Sequence, residues 1–179
     1  GHPVFEIPIQ PPSIPGMRLN AQLTRMASAK ARVILGSPLT AIHAADGRIQ
    51  AVDYASAGRA TRVETRAVIL AAGGFESGAL ELDSYGAVAD TVCGLPVMGP
   101  TGQLLHADFW SDEQPLFLAG LAVDDSMRVV DDNGTPVYTN LFAAGGNLAG
   151  ATRWREKSGE GIALASALAA VDAIVEELK

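Results

Sequence analysis

Hydrophobic and polar positions divide the chain into blocks with different periodicities. Leu19, Leu23 and Met26 recur at helical spacing within residues 17–31, which predicts an amphipathic helix. The preceding residues are rich in proline, so residues 4–9 are predicted to be a short extended piece at a sheet edge.

The next block predicts a three-stranded β-meander. The apolar run 33–35 predicts a buried strand that ends at a glycine and a proline. Segments 39–44, 49–55 and 61–66 then alternate as strands do, and Asp46-Gly47 is a hairpin signal between the first two.

Two later segments are continuous apolar runs, 67–72 and 140–144, and each predicts a buried strand. Residues 160–179 predict a long helix that follows a polar loop at 150–158. Weaker signals predict short strands near residue 92 and at 116–123, and a hairpin that pairs 127–130 with 136–138 around Asp132-Asn133-Gly134.

Composition narrows the fold class. Apolar residues make up 48% of the 179 residues and aromatic residues only 6%, so the core is predicted to consist of Ala, Val, Leu and Ile. Buried strands and Ala-rich helices are typical of an α/β protein. Gly1 and His2 are typical of residues left by cloning, and residues 3–179 are predicted to form a single compact portion.

Charge and cysteine content exclude several classes of function. The net charge is −7 and no run of Lys or Arg stands out, which argues against nucleic-acid binding through a basic face. Cys93 is the only cysteine, so an internal disulfide, an iron–sulfur cluster and a structural zinc site are excluded, and no metal site is predicted. A reducing, cytoplasmic compartment is expected, and no apolar run approaches the ~20 residues that span a bilayer.

Three glycine-containing segments point to a ligand. The run 67–72 leads into Gly73-Gly74, and the run 140–144 leads into Gly145-Gly146. Paired glycines at a strand end allow a ligand to approach the main chain closely, and ligands of open α/β sheets lie beyond the carboxyl ends of strands. The third segment, 159–167, begins a helix whose first-turn N–H groups suit an electron-rich ligand edge. Ordinary strand ends and a surface helix are the alternative interpretation of each segment.

These motifs, in this order, resemble the flavoproteins with two dinucleotide-binding domains, which include the fumarate reductase and succinate dehydrogenase flavoproteins. The residues that carry the resemblance are IPGMRLNAQL at 14–23, VILAAGGFESGAL at 68–80, GLAVDDSMR at 120–128 and NLFAAGG before the final helix, together with Gly94-Leu95 and Asp108-Phe109. Within this group the chain is most similar to the B subunits of anaerobic glycerol-3-phosphate dehydrogenases.

The resemblance implies a partial FAD/NAD(P)-binding, Rossmann-like α/β domain with an inserted β-meander and flanking helices. It implies a flavin cofactor, FMN or FAD, and oxidation of glycerol 3-phosphate, a phosphate ester, to dihydroxyacetone phosphate. It implies both a flavoprotein and an iron–sulfur partner subunit; electrons would pass to a partner subunit, and the protein would reach the inner membrane only through a partner. The implied cofactor-binding residues are Leu39, Ala72, Gly73, Gly74, Gly145, Gly146, Asn147, Glu160, Gly161, Ile162 and Ala163.

The chain departs from the family pattern in two places. Asn147 stands where many members carry an acidic residue that binds a ribityl hydroxyl. No G-x-G-x-x-G motif follows a strand, because the glycines of 94–102 are interrupted by prolines and lead into no helix. The chain is therefore expected to be the C-terminal portion of a flavoprotein, without the first phosphate-binding unit and inactive when isolated.

Candidate catalytic residues are His106, Arg153 and Arg155. His106 lies beside Asp108, Phe109 and Trp110, whereas the two arginines lie between the second glycine pair and the last helix. Guanidinium groups suit an anionic substrate such as a phosphate ester. A structural histidine and a solvated loop remain the alternatives. At the level of the whole protein, two other hypotheses stay open: another enzyme of the fumarate reductase and succinate dehydrogenase type, and a non-catalytic subunit with a degenerate flavin site.

Overall fold

The chain divides into two units, residues 1–37 and residues 38–179, each described by itself. The structure is a computed structural model. It describes residues 2–5, 7, 13–56, 58–100, 102–108 and 113–179, with the side chain of residue 154 excepted. Half of the predicted extended piece at 4–9, and Phe109 and Trp110 beside His106, lie outside the described residues.

The first unit contains the amphipathic helix α1, Ile14–Ser28. Ser13 caps it, because its Oγ accepts the N–H of Gly16 at 3.1 Å, and Pro15 lies in the first turn where no N–H is needed. The predicted helix is therefore confirmed and begins earlier, at Ile14. The strand predicted at 33–35 is wrong: these residues are exposed, Leu35 at 80%, and no strand of the described part of the chain pairs with them.

The second unit begins with the predicted meander, which is confirmed. Its strands pair antiparallel in the order β1-β2-β3, and Ile49 on the central strand is fully buried. Asp46 and Gly47 form the first turn with φ of 50° and 70°, which suits a two-residue hairpin. The strands are β1, Leu39–Ala45, β2, Arg48–Ser56, and β3, Arg59–Glu64.

The two continuous apolar runs form a parallel pair, β4, Val68–Leu70, and β7, Leu141–Ala143. Every residue of β7 is buried. The prediction that the first run is buried on both faces is wrong, since Ile69 is 37% exposed. Within the described residues β4 pairs with no strand other than β7.

The middle of the chain is mostly irregular. It contains one hairpin, β5, Leu80–Leu82, with β6, Val88–Asp90, and two short 3-10 turns at 75–77 and 115–118. The strand predicted near residue 92 is displaced, because Asp90 turns the chain by accepting the N–H groups of Val92, Cys93 and Leu95. The strand predicted at 116–123 is a 3-10 turn followed by isolated bridges, whereas the hairpin around 132–134 is confirmed by the bridge between residues 130 and 136.

Three loops share one construction. In each, an aspartate Oδ1 accepts the N–H groups two and four residues later, at 2.8 or 2.9 Å, and the residue three positions later has a positive φ. The acidic residues at 124–125 and 131–132 thus act as turn residues. The aspartates are Asp83, Asp124 and Asp131, followed by Gly86, Met127 and Gly134.

Two helices complete the unit, α2, Arg153–Glu156, and α3, Gly159–Glu177. The first lies within the predicted polar loop, which is therefore wrong over those four residues, and the second confirms the predicted long helix. One face of α3 is buried through Ser166 and Ala170, while the opposite face exposes an apolar stripe. The stripe consists of Leu164, Leu168, Val171 and Val175.

The architecture is a mixed α/β fold with small sheets of three, two and two strands. Its core joins the meander, the parallel pair and the irregular middle around Ile49, Leu70, Leu121 and Leu141. The finer prediction of a Rossmann-like arrangement stays a prediction.

Candidate functional site

The ends of β4 and β7 lie side by side and bring the two glycine pairs together. Ala144 donates its N–H to the carbonyl of Leu70 at 3.0 Å, which extends the parallel pairing to the last turn. A Cβ built on Gly74 would lie 2.7 Å from the carbonyl oxygen of Gly146. Only glycine permits this approach, so the two pairs form one edge of the molecule.

The first glycine pair is held by the turn that follows it. Gly73 has φ of 83°. Ser77 donates its Oγ–H to the carbonyl of Ala72 at 2.7 Å, and its Oγ lies 3.0 Å from that of Gly74. Gly74 also accepts the N–H of Ala79 at 3.1 Å. The main chain of Ala72, Gly73 and Gly74 is therefore shaped by local hydrogen bonds.

The second glycine pair contacts the beginning of α3. Gly145 donates its N–H to Oγ of Ser166 at 2.9 Å, and Ser166 donates to the carbonyl of Ile162 at 2.6 Å. A Cβ on Gly145 would lie 3.8 Å from Cβ of Ala163. The structure therefore brings the third predicted segment to the same edge as the glycine pairs.

The first turn of α3 has no side-chain cap. Ser158 precedes the helix but does not cap it, because its Oγ donates to Glu156 at 3.0 Å. The N–H groups of residues 159–161 therefore have neither an intrahelical acceptor nor a side-chain cap, whereas the N–H of Ile162 donates to the carbonyl of Ser158 at 2.9 Å. A Cβ built on Gly161 would meet no atom within 4 Å, and Glu160 is exposed, so the space beside this turn is open.

Asn147 is buried between the strands. Its Nδ2 donates to the carbonyl of Leu70 at 3.0 Å, so the side chain braces β4 against the turn after β7. Its Oδ1 is a buried side-chain atom without a hydrogen-bond partner among the described residues. One acceptor is therefore available beside the glycine edge, and a hydroxyl donor would satisfy it.

Arg153 lies against both glycine pairs. A Cβ on Gly74 would lie 2.5 Å from Arg153 Nη2, and one on Gly146 would lie 2.7 Å from Nη1. The guanidinium donates to Glu76 Oε2 at 2.8 Å. Two open clefts of about 430 and 490 Å³ meet at this ion pair, one along Gly73-Gly74 and Ser77, the other along Lys157 and the start of α3.

The remaining predicted residues lie apart from this edge. Arg155 is exposed and lines neither cleft. Within the described part of the chain, no hydrogen bond or ion pair joins His106 to the arginines, and its N–H donates to the buried Gln114 at 2.7 Å. Leu39 lines a separate cavity of about 300 Å³ with Cys93 and Tyr138.

Three contributors to the edge escaped the sequence analysis: Glu76, Ser77 and Ser166. Each is a small or polar residue next to a glycine or alanine run, but its partner lies far along the chain or in a tight turn. Arg128 is not part of this edge. Its Cζ lies 5.4 Å from the Phe142 ring centroid, and its guanidinium pairs with Asp124 and Glu177.

The described residues contain neither a metal-ligand cluster nor a helix able to span a membrane. No group of three or more His, Cys, Asp or Glu side chains there is placed to hold a metal ion. In the same residues, no helix combines the length and apolarity needed to cross a membrane.

Comparison with known proteins assigns the chain to a family. The profile of the FAD binding domain matches residues 1–162, which include the glycine edge and the first turn of α3. The chain belongs to the FAD binding domain family. The prediction of a flavin cofactor is thereby confirmed, and the match favours FAD.

Curated proteins with similar sequences include B subunits of anaerobic glycerol-3-phosphate dehydrogenases. The chain is 29% identical over 190 residues to the probable B subunit of the anaerobic glycerol-3-phosphate dehydrogenase of Halobacterium salinarum, with 99% of this chain and 42% of that protein covered. It is 26% identical over 179 residues to the B subunit of the Glaesserella parasuis enzyme (96% and 41%) and 27% identical over 184 residues to that of Yersinia pseudotuberculosis (99% and 42%). The predicted resemblance is confirmed.

The chain spans less than half the length of these relatives. No solved structure matches it.

Proposed function

We propose that this chain forms part of the flavin site of an oxidoreductase subunit that oxidises glycerol 3-phosphate to dihydroxyacetone phosphate and passes the electrons to a partner subunit. The observation that carries the proposal is the meeting of both glycine pairs and the start of α3 at one edge. The match to the FAD binding domain supports the flavin. The names of the relatives support the substrate.

The residues present fit a flavin. Gly73 and Gly74 line an open cleft, the first turn of α3 has uncapped N–H groups beside a second cleft, and Oδ1 of Asn147 offers a buried acceptor. A bound flavin would supply the two-electron acceptor.

The protein's own part would be binding and orientation. We assign main-chain contacts to 72–74 and 145–146, a hydroxyl contact to Asn147, and a dipolar contact to the first turn of α3, Glu160 to Ala163. A helix N-terminus stabilises negative charge on a ligand edge that faces it. Leu39 is proposed to lie at the far end of the cofactor, and Arg153, Arg155 and His106 stay candidates for the substrate.

We further propose that residues 3–179 act as one portion of a longer flavoprotein. The relatives extend well beyond the matched region. The helix α3 exposes an apolar stripe from Leu164 to Val175 on the face opposite its buried residues, and an exposed apolar stripe of this kind is typical of a surface that another part of a protein covers. The cytoplasmic location, and attachment to the inner membrane through a partner, are proposed on the same similarity.

The test is FAD binding to the full polypeptide that carries these residues, measured by flavin absorbance after gel filtration. The wild-type protein should retain flavin, and Gly161→Ala should lower its FAD affinity at least about tenfold, or ~1.4 kcal/mol. The same substitution should raise the free energy of unfolding by about 0.5–1 kcal/mol, because alanine favours a helix and the added Cβ meets no protein atom. If Gly161→Ala is more stable than wild type but binds FAD more weakly, the weaker binding comes from the change at the site and not from unfolding.

A colourless wild-type protein would overturn the proposal and favour a non-catalytic subunit. The substrate is tested separately by anaerobic addition of glycerol 3-phosphate, which should bleach the visible flavin absorbance. Flavin that stays oxidised with glycerol 3-phosphate, but is reduced by a hydroxy acid, would favour a different enzyme of the same family.

A further inference from the structure

The environment of Arg153 is unusual for an arginine in a short surface helix. Its side chain is only 25% exposed, and its guanidinium occupies the space that a Cβ at either Gly74 or Gly146 would fill. The two strand ends thus form a notch into which the planar group fits. A guanidinium carries five N–H donors, and Glu76 accepts from only one of its nitrogens, Nη2.

The carboxylate that pairs with Arg153 belongs to a largely exposed side chain. Among the described residues, the only side chain that Arg153 contacts by a hydrogen bond is Glu76, through a single Nη2–Oε2 contact of 2.8 Å. The Glu76 side chain is 68% exposed. Because the Glu76 side chain is largely in solvent, water can hydrate its carboxylate when it leaves the guanidinium, and the cost of breaking the contact is low.

We propose that Arg153 is a phosphate-binding residue and that Glu76 is a built-in competitor for it. When a ligand brings a phosphate oxyanion into the cleft, its oxygens replace Oε2 of Glu76 on the guanidinium, and the Glu76 side chain rotates into solvent. This inference rests on the proposed flavin and phosphate-ester chemistry.

Chemistry and position both support the exchange. A guanidinium fork matches a phosphate as well as a carboxylate, and a phosphate carries more charge. Both clefts are lined by Glu76 and Arg153, so a ligand in either one meets the pair. Partial burial raises the pKa of Glu76, but its own main-chain N–H and the Arg153 guanidinium outweigh that and hold the pKa below its ordinary value. The competitor is therefore ionised at neutral pH.

The first experiment uses the full chain and sulfate, which keeps a double negative charge from weakly acidic to alkaline pH. Sulfate affinity is measured by calorimetry at constant ionic strength set with chloride. Glu76→Gln should bind sulfate about three- to fivefold more tightly than wild type, the gain expected from removing a surface ion pair. Glu81→Gln, an exposed glutamate on β5, makes the same change in net charge and should leave the affinity unchanged.

Arg153→Gln should abolish the sulfate binding, and Arg153→Lys, which keeps the charge but not the fork, should weaken it. The melting temperature of each variant is measured alongside, so that a failure to fold is recognised. If Arg153→Gln does not fold, the sulfate affinity of Arg153→Lys tests the assignment instead. Equal affinities for wild type, Glu76→Gln and Glu81→Gln would overturn the competition. Unchanged sulfate binding by a folded Arg153→Gln or Arg153→Lys variant would overturn the assignment of Arg153.

A second set of ligands identifies which phosphate is bound. If it belongs to the flavin, Glu76→Gln tightens FAD and leaves riboflavin unchanged. If it belongs to the substrate, Glu76→Gln tightens glycerol 3-phosphate alone. An absence of FAD binding in every variant would defeat the proposed function, while the sulfate result would still decide the role of Arg153.

Discussion

The side-chain amide of Asn140 pairs with both main-chain groups of Ile49. Its Oδ1 accepts the Ile49 N–H at 2.8 Å, and its Nδ2 donates to the Ile49 carbonyl at 2.8 Å and to the Arg66 carbonyl at 2.9 Å. Asn140 thus acts as a short piece of strand that attaches the meander to the beginning of β7. Through β7 it holds the second glycine pair in position.

Removing this amide should destabilise the protein strongly. Asn140→Ala leaves the buried N–H and carbonyl of Ile49 without partners, so we expect the free energy of unfolding to fall by about 2–4 kcal/mol. Urea unfolding followed by circular dichroism measures it. Asn20→Ala, on exposed α1, is the control and should change stability by less than about 0.5 kcal/mol. Similar small losses for both variants would contradict the role given to Asn140.

Met127 is predicted to be strained. It has φ of 64° at the loop position where the two matching loops have Gly86 and Gly134. Met127→Gly should therefore raise the free energy of unfolding by about 0.5–1 kcal/mol. It removes the steric cost of a left-handed backbone, and part of that gain is offset because glycine loses more conformational entropy on folding. Met127→Ala keeps the strain and should show no gain. Gly134→Ala, whose Cβ would meet open space, should lose about 1–2 kcal/mol for conformational reasons alone.

Gly120 is required by a close approach of two main chains. An added Cβ would lie 2.6 Å from the carbonyl oxygen of Asn147 and 2.6 Å from the nitrogen of Ala149. Because both atoms belong to the backbone, Gly120→Ala should cost about 2–4 kcal/mol in a chemical unfolding experiment. Gly78→Ala, which has open space around it and φ of 75°, should cost only about 1–2 kcal/mol. Equal costs would show that the backbone yields at Gly120.

Acid should weaken the meander through Asp53. Hydrogen bonds from Arg62, at 2.8 and 3.0 Å, and then the contact with His43 at 2.7 Å hold the pKa of Asp53 well below its usual range. A carboxyl group with a depressed pKa in the folded state stabilises it above the unfolded pKa of about 3.9, and this stabilisation is lost as the pH falls below that value.

The expected result is a difference between wild type and Asp53→Asn that is largest near pH 6 and shrinks below about pH 4. Urea midpoints at several pH values measure it. Asp172→Asn removes an exposed carboxyl group that makes no hydrogen bond or ion pair with a described residue, and its difference from wild type should not depend on pH in this window. A constant difference for Asp53→Asn would contradict the prediction.

Local patterns sufficed where neighbours along the chain supply the partners. The meander was predictable because Asp46-Gly47 sets a hairpin turn and Ile49 alternates inward. The long helix α3 followed from its periodicity. The prediction of a strand at 33–35 was wrong because apolar, branched residues form a strand only where another strand pairs with them. Such pairing is not a local property of the sequence.

The candidate site divides in the same way. Both glycine pairs and the glycines at the start of α3 were visible in the sequence, because glycine after an apolar run signals a main chain that something must approach. Their juxtaposition was a hypothesis from their order. The pairing of Arg153 with Glu76, the bridge from Asn147 to Leu70 and the contact of Ser166 with Gly145 had no local signal.

By itself, the sequence determined the meander, the apolar strands, the last helix and the glycine positions, since periodicity and backbone freedom act over a few residues. Only the tertiary structure decided that β4 and β7 are parallel neighbours, that Arg153 lies in the notch between Gly74 and Gly146, and that one face of α3 stays exposed. These features depend on contacts between residues far apart in the chain. Such contacts form only when burial and hydrogen bonding offset the entropy of closing long loops.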